Sequence, residues 1–563
     1  MNIDGHPENT GRDALAVFAL AFVLQIIFMA RVVDLYDEGI ILVGAEQAAN
    51  GKVIHRDFYA NYGPGQFYVL AGLFKLLTPS VLVGRLWDTA IRSSAAALVY
   101  LVAAAAASRR AAWFTALASG LWLASFGTYG YPVFPALVAS LAAFLCLAPW
   151  RNGTPPPPFR LSLAGIAAGV AALFRYDFGL FTVAAELTAL ALYAVYVRQA
   201  ALELLRSMGL FAAGWLLVIL PLLIAYALSG VIGDFLFDVV QFPGRSYAAT
   251  RSLPFPNAGE LWSDPWSLGI YLPLIACAAA LPALVGLAIT RGKAPPIGDR
   301  RDFWFVAGLM SNAFFFFLKG VVRPHPVHMS ASIIVALILL AVLITRLPAG
   351  RGARAAVGLA LVAATWSTGG ALREILFRAI ANARWVASGE AWSGPSMGAQ
   401  AETGSCRAPP GLERSACFLV DEDRLAAIRY VQERTKPGEP LYVGLTRHDR
   451  IVVNDTTFYF LAKRPPATKW SHFDPGLQTS APIQHEMVDE LAASPPRFVI
   501  LESQWDRVQE PNASAQSSGV MILDAYIHDH YRCVSRFGAI SVLGDNNCDN
   551  AGSCADDAAT SPG

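Results

Sequence analysis

Charge is scarce in this sequence. Lys, Arg, Asp and Glu together make up 15% of the 563 residues, 55% are hydrophobic, and the mean hydropathy is +0.43. Globular domains carry about 25% charged residues, so this composition excludes an ordinary soluble enzyme and predicts a polytopic membrane protein. The 43 basic and 42 acidic residues nearly cancel, which argues against the basic surface of a nucleic-acid-binding protein.

Sequence motifs for nucleotides and zinc are also missing. The chain has neither a P-loop nor a Gly-x-Gly-x-x-Gly turn after a strand, which argues against an ATP-driven pump and against a nucleotide-sugar donor. The seven cysteines include no Cys-x-x-Cys pair. Five of them lie after residue 400, where a pair such as Cys406–Cys417 would form a disulfide if this part of the chain faces an oxidising compartment.

Long apolar runs are what the chain has instead. The first run, Ala14 to Ala30, has no Ala-x-Ala cleavage pattern after it, so it predicts a retained helix rather than a signal peptide. At about 20 residues per crossing, the runs predict eleven membrane spans. These spans are 14–33, 84–107, 112–128, 132–149, 161–174, 178–197, 208–228, 267–289, 303–318, 329–345 and 355–375. Lys and Arg are concentrated in every second connection, which predicts a cytoplasmic N-terminus and an extracytoplasmic C-terminal part.

The composition divides the chain into three parts. Residues 1–375 predict a transmembrane module with a long outer loop at 34–83, residues 376–545 an extracytoplasmic α/β domain, and residues 546–563 a disordered tail. In the α/β domain the patterns predict a helix, a strand, a helix, a strand and a closing hairpin. These elements are Asp421–Thr435, Pro440–Leu445, Ile483–Ser494, Arg497–Glu502 and His530–Leu543.

The loop after the first span is rich in acids and aromatic residues. Asp37 and Glu38 follow the span, and "HRDFYANYGPGQFY" (His55–Tyr68) leads through a Gly-Pro-Gly turn. This loop, from Asp37 to about Phe74, resembles the membrane glycosyltransferases of the GT-C superfamily. The most similar branch is the bacterial one related to dolichyl-phosphate-mannose protein mannosyltransferases and lipid A aminoarabinose transferases. The resemblance implies an enzyme that takes a sugar from a polyprenyl phosphate and inverts its anomeric configuration, with Asp37 and Glu38 as the family's acidic pair.

Physical chemistry gives the same role to an acid in this loop. Transfer of a sugar to a hydroxyl needs a base, and a single inverting displacement places that base opposite the leaving group. Partial burial at the membrane edge raises the pKa of a carboxylate and so makes it more basic. We therefore expect Asp37 to be the catalytic base and Glu38 to be a second acid or a metal ligand. The alternative is an ordinary solvated helix end, since charges normally flank membrane spans.

A basic connection near the end of the membrane module predicts a phosphate site. Lys319, Arg323, His325 and His328 lie in "FLKGVVRPHPVHMSA" (Phe317–Ala331), on an outer connection where few cations are expected. Such a cluster would bind the phosphate of a lipid-linked donor, with Arg323 as a bidentate fork. The alternative is that Lys319 and Arg323 extend from span ends towards the headgroups.

Other polar residues on the outer side are candidates for binding the substrate: Asp57, Tyr59, Tyr62, Arg175, Asp177 and Arg245. For Arg175 and Asp177 a structural ion pair is equally consistent with the sequence. The loop Gln241–Trp266 has the length and position of a lid. Arg85, Asp88 and Arg92 lie on one face of the second span and predict a buried structural ion pair. A divalent cation, Mg²⁺ or Mn²⁺, could bind to acids such as Asp37, Glu38, Asp57 and Asp177, although the sequence establishes no cofactor.

Together these patterns predict an inverting glycosyltransferase of a bacterial plasma membrane. It would move a sugar from polyprenyl phosphate to a hydroxyl of an envelope glycan, lipid or protein on the extracytoplasmic face, with membrane lipids and no nucleic acid as further partners. One alternative is a transporter or flippase of lipid-linked sugars, which would predict charges within the spans and an internal repeat. The other is a non-catalytic envelope assembly protein that works through its external domain.

Overall fold

The structure of the chain is a computed structural model that describes residues 7–148, 156–290, 297–345, 351–389, 406–408, 410–451 and 453–545. The predicted tail at 546–563, with Cys548 and Cys554, lies outside these residues. The described part is mostly helical. Its helices are α1 (Pro7–Ile27), α2 (Asp37–Ala49), α3 (Pro64–Leu76), α4 (Val81–Ala106), α5 (Arg109–Ser125), α6 (Val133–Leu147), α7 (Pro158–Phe174), α8 (Tyr176–Val197), α9 (Ala201–Leu228), α10 (Ile232–Leu236), α11 (Ala248–Arg251), α12 (Ala258–Ser263), α13 (Leu272–Thr290), α14 (Ile297–Gly320), α15 (Ser330–Thr345), α16 (Arg351–Ala387), α17 (Glu422–Arg434), α18 (Thr457–Ala462), α19 (Ala481–Ala493) and α20 (Ile522–His530).

Each of the eleven predicted spans corresponds to one long helix of the structure: α1, α4 to α9 and α13 to α16. Of these, seven described helices are long and apolar enough to cross a membrane, and α6, α7 and α15 are shorter apolar helices. The prediction of a polytopic α-helical membrane protein is confirmed, whereas the count of eleven crossings stays a prediction. The predicted domain boundary at residue 375 lies inside α16, because this helix continues to Ala387. At 1.5 Å per residue, its 37 residues extend about 55 Å.

Five connections meet at one end of the helix bundle. They are the segment 28–80, which we call the first loop, and the connections 126–132, 175, 229–271 and 321–329. Two of the long helices separate each connection from the next, as expected if every long helix crosses once. Two more, α15 and α16, then lead to residues 406–545, which lie at the same end and which we call the C-terminal domain.

A four-stranded sheet forms the centre of the C-terminal domain. Its strands are β1 (Tyr442–Leu445), β2 (Phe498–Glu502), β3 (Tyr531–Phe537) and β4 (Ile540–Asp545), in the order β1-β2-β4-β3. β1 and β2 are parallel, and β4 is antiparallel to both of its neighbours. All five elements predicted for this domain are present, and Cys406 forms a disulfide with Cys417.

The first loop and the C-terminal domain share one hydrophobic core. Side chains of α2 and α3, such as Ile40 and Phe67, belong to the same buried cluster as Ile428 and Phe458 from the C-terminal domain. The start of α2 lies so close to α18 that a Cβ atom on Gly39 would overlap Thr457. The two segments therefore form a single packed body over the end of the bundle.

Gly63 fixes the first loop against the bundle. It precedes Pro64, the first residue of α3, where proline is favoured because its missing N–H is not needed. The main-chain N–H of Gly63 donates a hydrogen bond to the carbonyl of Phe174 at the end of α7 (3.1 Å). A Cβ atom at Gly63 would overlap the carbonyl oxygen of Leu173, so only glycine allows this approach.

We expect Gly63→Ala to lower the free energy of unfolding by about 1–3 kcal/mol, because the added methyl group pushes the first loop away from α7. The midpoint of thermal unfolding in detergent micelles measures the change. Gly72→Ala is the matched control, since position 72 lies within α3 and a methyl group added there would meet no atom within 4 Å. Equal midpoints for the two variants would show that the close approach at Gly63 is unimportant.

Candidate active site

The first turn of α2 carries the two acids that the sequence singles out. Asp34 accepts hydrogen bonds through Oδ1 from the main-chain N–H groups of Tyr36 (3.0 Å) and Glu38 (3.1 Å). These bonds satisfy donors at the helix start that have no partner within the helix. The cap thereby fixes where α2 begins, and with it the direction in which Asp37 and Glu38 point.

Asp37 faces a cavity of about 640 Å³, which we call the first cavity. Its polar wall comes from all five converging connections: Asp37, Asn61, Tyr62, Tyr131, Arg175, Asp177, Tyr247, Lys319, Arg323, His325 and His328. Aliphatic side chains such as Leu180, Val240 and Leu253 complete the lining. Eight of the twelve residues predicted for the site are thus brought together around one space.

The Asp37 carboxylate is left without a hydrogen-bond partner among the described residues. Burial raises its pKa from 3.8 to about 7, and the nearby negative charge of Asp34 raises it further, against the lowering effect of Arg251 and Arg323. A carboxyl group with a pKa near neutrality can accept a proton in the physiological range. This is the property that a general base requires.

Glu38 is turned away from the first cavity. Both of its oxygens accept hydrogen bonds from the Arg85 guanidinium of α4, at 2.7 and 2.8 Å, and the two side chains are 3% and 0% exposed. Arg85 also donates to the carbonyl oxygens of Ala30 and Val32. The structure therefore gives Glu38 a place in a buried ion pair that holds the first loop, and its position does not support the predicted second catalytic acid.

The buried ion pair predicted for this face of the second span is present within α4. Asp88 pairs with Arg92, one helical turn further along α4, at 2.5 Å. Arg85 instead reaches across to the first loop. The predicted buried ion pair exists, but it contains two of the three residues.

Three cations line the first cavity: Arg175, Lys319 and Arg323. Lys319 Nζ donates to the Tyr131 hydroxyl (3.3 Å), and the Arg175 guanidinium lies over the rings of Tyr62 and Tyr131, at 5.3 and 5.4 Å from their centroids. Arg175 also donates to Asp177 (2.8 Å). The ion pair that the sequence left as an alternative is thus present, and both of its members also line the cavity.

The two histidines of the basic connection are neutral. Burial and the neighbouring charge of Arg323 lower the pKa of His325 to about 4. Burial and the charge of Lys319 lower the pKa of His328 well below its ordinary value. The His328 ring shares a hydrogen bond with the Tyr131 hydroxyl (3.2 Å). His325 and His328 therefore offer hydrogen bonds to a ligand, and the positive charge comes from lysine and arginine.

The Arg323 guanidinium is already held by a carboxylate. Its two terminal nitrogens donate to Glu510 of the C-terminal domain at 3.0 and 2.6 Å. Burial alone would raise the pKa of Glu510, but the hydrogen bonds from Arg323 and Asn512 outweigh it and lower the pKa. Arg323 thus reaches the wall of the first cavity in an arrangement fixed by the C-terminal domain.

Asp474 of the C-terminal domain ties the remaining parts of the site together. Its carboxylate accepts hydrogen bonds from Tyr59 (2.8 Å), Asn61 (3.1 Å) and Arg251 (2.7 Å). Arg251 also donates to the hydroxyl of Tyr36, the residue before Asp37 (3.2 Å). Tyr59, predicted to bind substrate, is therefore buried in a supporting network behind the cavity wall.

The structure does not bring Asp57 or Arg245 to the cavity. Asp57 pairs with Arg56 at 2.9 Å and accepts the main-chain N–H of Val53. Arg245 is exposed, and Tyr247, two residues later, lines the cavity in its place. These segments are π-helical, Phe237–Gln241 and Pro243–Tyr247, and sequence periodicity gave no indication of which side chains would face inwards.

A second cavity of about 660 Å³ lies on the other side of Asp37. It forms between the first loop and the C-terminal domain, and its lining includes Asp34, Asp421, Arg424 and Trp505. Among the described residues, Asp37 alone lines both cavities. Asp37 thus belongs to the linings of both cavities.

The acids predicted as metal ligands do not converge. Glu38 is occupied by Arg85, Asp57 by Arg56, and Asp177 by Arg175. In the described ranges no three His, Cys, Asp or Glu side chains come close enough to hold a metal ion. No step below depends on a metal.

The fold is that of known membrane glycosyltransferases. It matches ArnT from Cupriavidus metallidurans bound to undecaprenyl phosphate, with a TM-score of 0.55 and 14% identity over 97% of this chain and 100% of ArnT. The apo state of that ArnT matches with a TM-score of 0.53, 14% identity and coverage of 94% and 96%. The oligosaccharyltransferase AglB from Archaeoglobus fulgidus, in complex with an inhibitory peptide and a dolichol-phosphate, has a TM-score of 0.46 and 14% identity over 95% of this chain and 74% of AglB.

No known family pattern and no curated protein sequence matches this chain. ArnT is a lipid A aminoarabinose transferase of the GT-C superfamily. At 14% identity the likeness to ArnT establishes the fold. The chain therefore has the GT-C fold, as its first loop predicts.

We expect Glu38→Gln to lower the free energy of unfolding by up to about 3–5 kcal/mol, because it leaves the buried Arg85 guanidinium without its counter-charge. Thermal unfolding in detergent micelles measures the effect. Glu46→Gln is the matched control on the same helix, since its pair with Arg414 is more exposed than the Glu38–Arg85 pair (25% and 12%) and should cost less to break. If Glu38→Gln unfolds like the wild type, the pair does not hold the first loop.

Proposed function

We propose that this protein is an inverting glycosyltransferase that moves a sugar from a polyprenyl-phosphate donor to a hydroxyl acceptor at the extracytoplasmic face of a bacterial plasma membrane. The observation that carries the proposal is the position of Asp37: its carboxylate has no hydrogen-bond partner among the described residues, and the residue lines both a cation-containing cavity and a second cavity. One cavity would hold the donor and the other the acceptor, with the base between them.

The first cavity has the two surfaces that a lipid-linked donor requires. Lys319 supplies positive charge and hydrogen-bond donors for a phosphate, and Arg323 and Arg175 add their charge while they pair with Glu510 and Asp177. Leu180, Val240 and other aliphatic side chains of the same cavity offer an apolar surface to an isoprenoid chain. The match in fold to ArnT bound to undecaprenyl phosphate supports a donor of this kind.

The reaction then needs few groups. The acceptor hydroxyl enters from the second cavity and passes its proton to Asp37 while its oxygen forms a bond to the anomeric carbon. The bond between that carbon and the phosphate oxygen breaks on the opposite face, which inverts the configuration. The leaving polyprenyl phosphate gains negative charge, and Lys319, Arg323 and Arg175 stabilise it where it develops.

Replacing Asp37 tests the proposal directly. We expect Asp37→Asn, in nanodiscs supplied with a panel of undecaprenyl-phosphate sugars, to lower transfer by roughly 100- to 10,000-fold, because the amide cannot accept the proton. Binding of undecaprenyl phosphate, measured by native mass spectrometry, should persist in Asp37→Asn and weaken in Lys319→Gln. Glu203→Gln, an exposed change at the opposite end of the bundle, is the control for the loss of one carboxylate.

A transporter or an assembly protein would give another result. Either would tolerate Asp37→Asn and leave the envelope glycans unchanged in mass spectra of cells that carry the variant. Such an outcome, at normal protein level, would overturn the assignment as an enzyme.

The raised pKa of Asp37 predicts a pH profile. Because the base acts as a carboxylate, kcat/KM should rise with pH through an apparent pKa of about 7 and level off above it. An ordinary solvated aspartate, with a pKa of 3.8, would give a flat profile between pH 5 and 8. Transfer rates at limiting substrate concentration, measured from pH 5 to 9, distinguish the two profiles.

A further inference from the structure

We infer that the second cavity accepts an uncharged carbohydrate that stacks on Trp505, and that it rejects phosphorylated acceptors. This inference rests on the proposed function, in which the acceptor is the molecule whose hydroxyl group receives the sugar. It goes further by giving the acceptor a chemical class, argued from the charges and surfaces of the second cavity.

The two cavities differ in charge. The first is lined by three cations, Arg175, Lys319 and Arg323, and by two carboxylates, Asp37 and Asp177. The second is lined by the carboxylates of Asp34, Asp37 and Asp421, and its one cation is Arg424, counted over its described lining. An anionic ligand would therefore be attracted to the first cavity and repelled from the second.

Arg424 has no capacity left for a ligand anion. Its Nε donates to Asp455 (2.5 Å), one terminal nitrogen donates to Glu502 (2.6 Å), and the other pairs with Asp421. The guanidinium thus faces three carboxylates and is 4% exposed. Binding a phosphate there would require breaking a buried ion pair, which is costly.

The remaining groups of the second cavity suit a sugar. Carboxylates accept hydrogen bonds and donate none, so a hydroxyl group can donate to the lone pairs that Asp34 and Asp421 retain beside their bonds to the main chain and to Arg424. Trp505 is half-buried and offers an indole ring to the apolar face of a pyranose. A ligand without hydroxyl groups cannot donate hydrogen bonds to these carboxylates and therefore binds more weakly.

A peptide finds less to bind. The extended segments that line the cavity already pair with each other, because Val33 N–H donates to the carbonyl of Leu419 (3.2 Å) and Leu419 N–H to the carbonyl of Arg31 (2.8 Å). A peptide can add to a protein as a further strand only where main-chain N–H and C=O groups are still unpaired. The carbohydrate is therefore the occupant that these residues favour.

The test uses the full chain in nanodiscs and saturation-transfer NMR, which detects weak ligands. The probes are the methyl glycosides of glucose, galactose and mannose, each alone and as its 6-phosphate, together with a threonine-containing hexapeptide. We expect at least one neutral glycoside to bind, and its 6-phosphate to bind at least about 10-fold more weakly, as like charges at close range oppose binding. Trp505→Ala should abolish this binding, and Trp505→Phe should retain much of it.

A charge variant tests the selectivity. Asp421→Asn keeps the N-cap of α17, since asparagine caps as well as aspartate, but removes one negative charge from the second cavity. This variant should reduce the difference in affinity between each glycoside and its 6-phosphate. Glu422→Gln is the matched control, because Glu422 is a neighbouring exposed acid outside the lining of the second cavity. Its replacement should leave the difference in affinity unchanged.

Three results would overturn the inference: 6-phosphates that bind as well as the neutral glycosides, binding unchanged in Trp505→Ala, or binding of the hexapeptide alone. Undecaprenyl phosphate binding, measured on the same nanodiscs by native mass spectrometry, reports on the first cavity. If it fails while the glycosides still bind, the proposed function falls and the carbohydrate site stands. If it persists while no neutral glycoside binds, the inference about the acceptor is wrong and the donor half of the function remains.

Discussion

The buried pair between Glu38 and Arg85 decides which of two adjacent acids is free to react. Two carboxylates side by side at the start of α2 are chemically alike, but Arg85 binds both oxygens of Glu38 and leaves Asp37 with no partner among the described residues. That asymmetry lets burial raise the pKa of Asp37 to about 7. A pair on Asp37 instead would hold its pKa low and make it a poor base.

The charged residues around Asp37 are distributed unequally between the two cavities. Arg175, Lys319 and Arg323 line the first cavity together with Asp37 and Asp177, whereas the second cavity is lined by Asp34, Asp37 and Asp421 with one cation, Arg424, counted over the described residues. The C-terminal domain supplies much of this order, because Glu510 positions Arg323 and Asp474 positions Arg251 and Tyr59. Residues far from the bundle in sequence thus set the electrostatics at its surface.

Sequence patterns could predict the spans and the chemistry of the connections, because both follow from local composition. Asp37, Lys319 and Arg323 stand out as charges beside apolar runs, and all three line the first cavity. Tertiary contacts determine which side chains pair, so the roles of Glu38 and Tyr59 could not be predicted from the residues next to them in the sequence. Asp474 and Glu510 were missed for the same reason: nothing near them in sequence marks a site in a domain that composition describes only as α/β.

The shared core has a consequence for biosynthesis. Thr457 bonds to Asp34 across 423 residues, and α2 packs on a helix that leaves the ribosome long after it. At translation rates of 5–20 residues per second, the first loop waits roughly 20 to 80 seconds for its partner. During that interval the faces of α2 and α3 that pack against the C-terminal domain lack this partner. The surroundings of Asp37 are therefore completed by the last part of the chain to be translated.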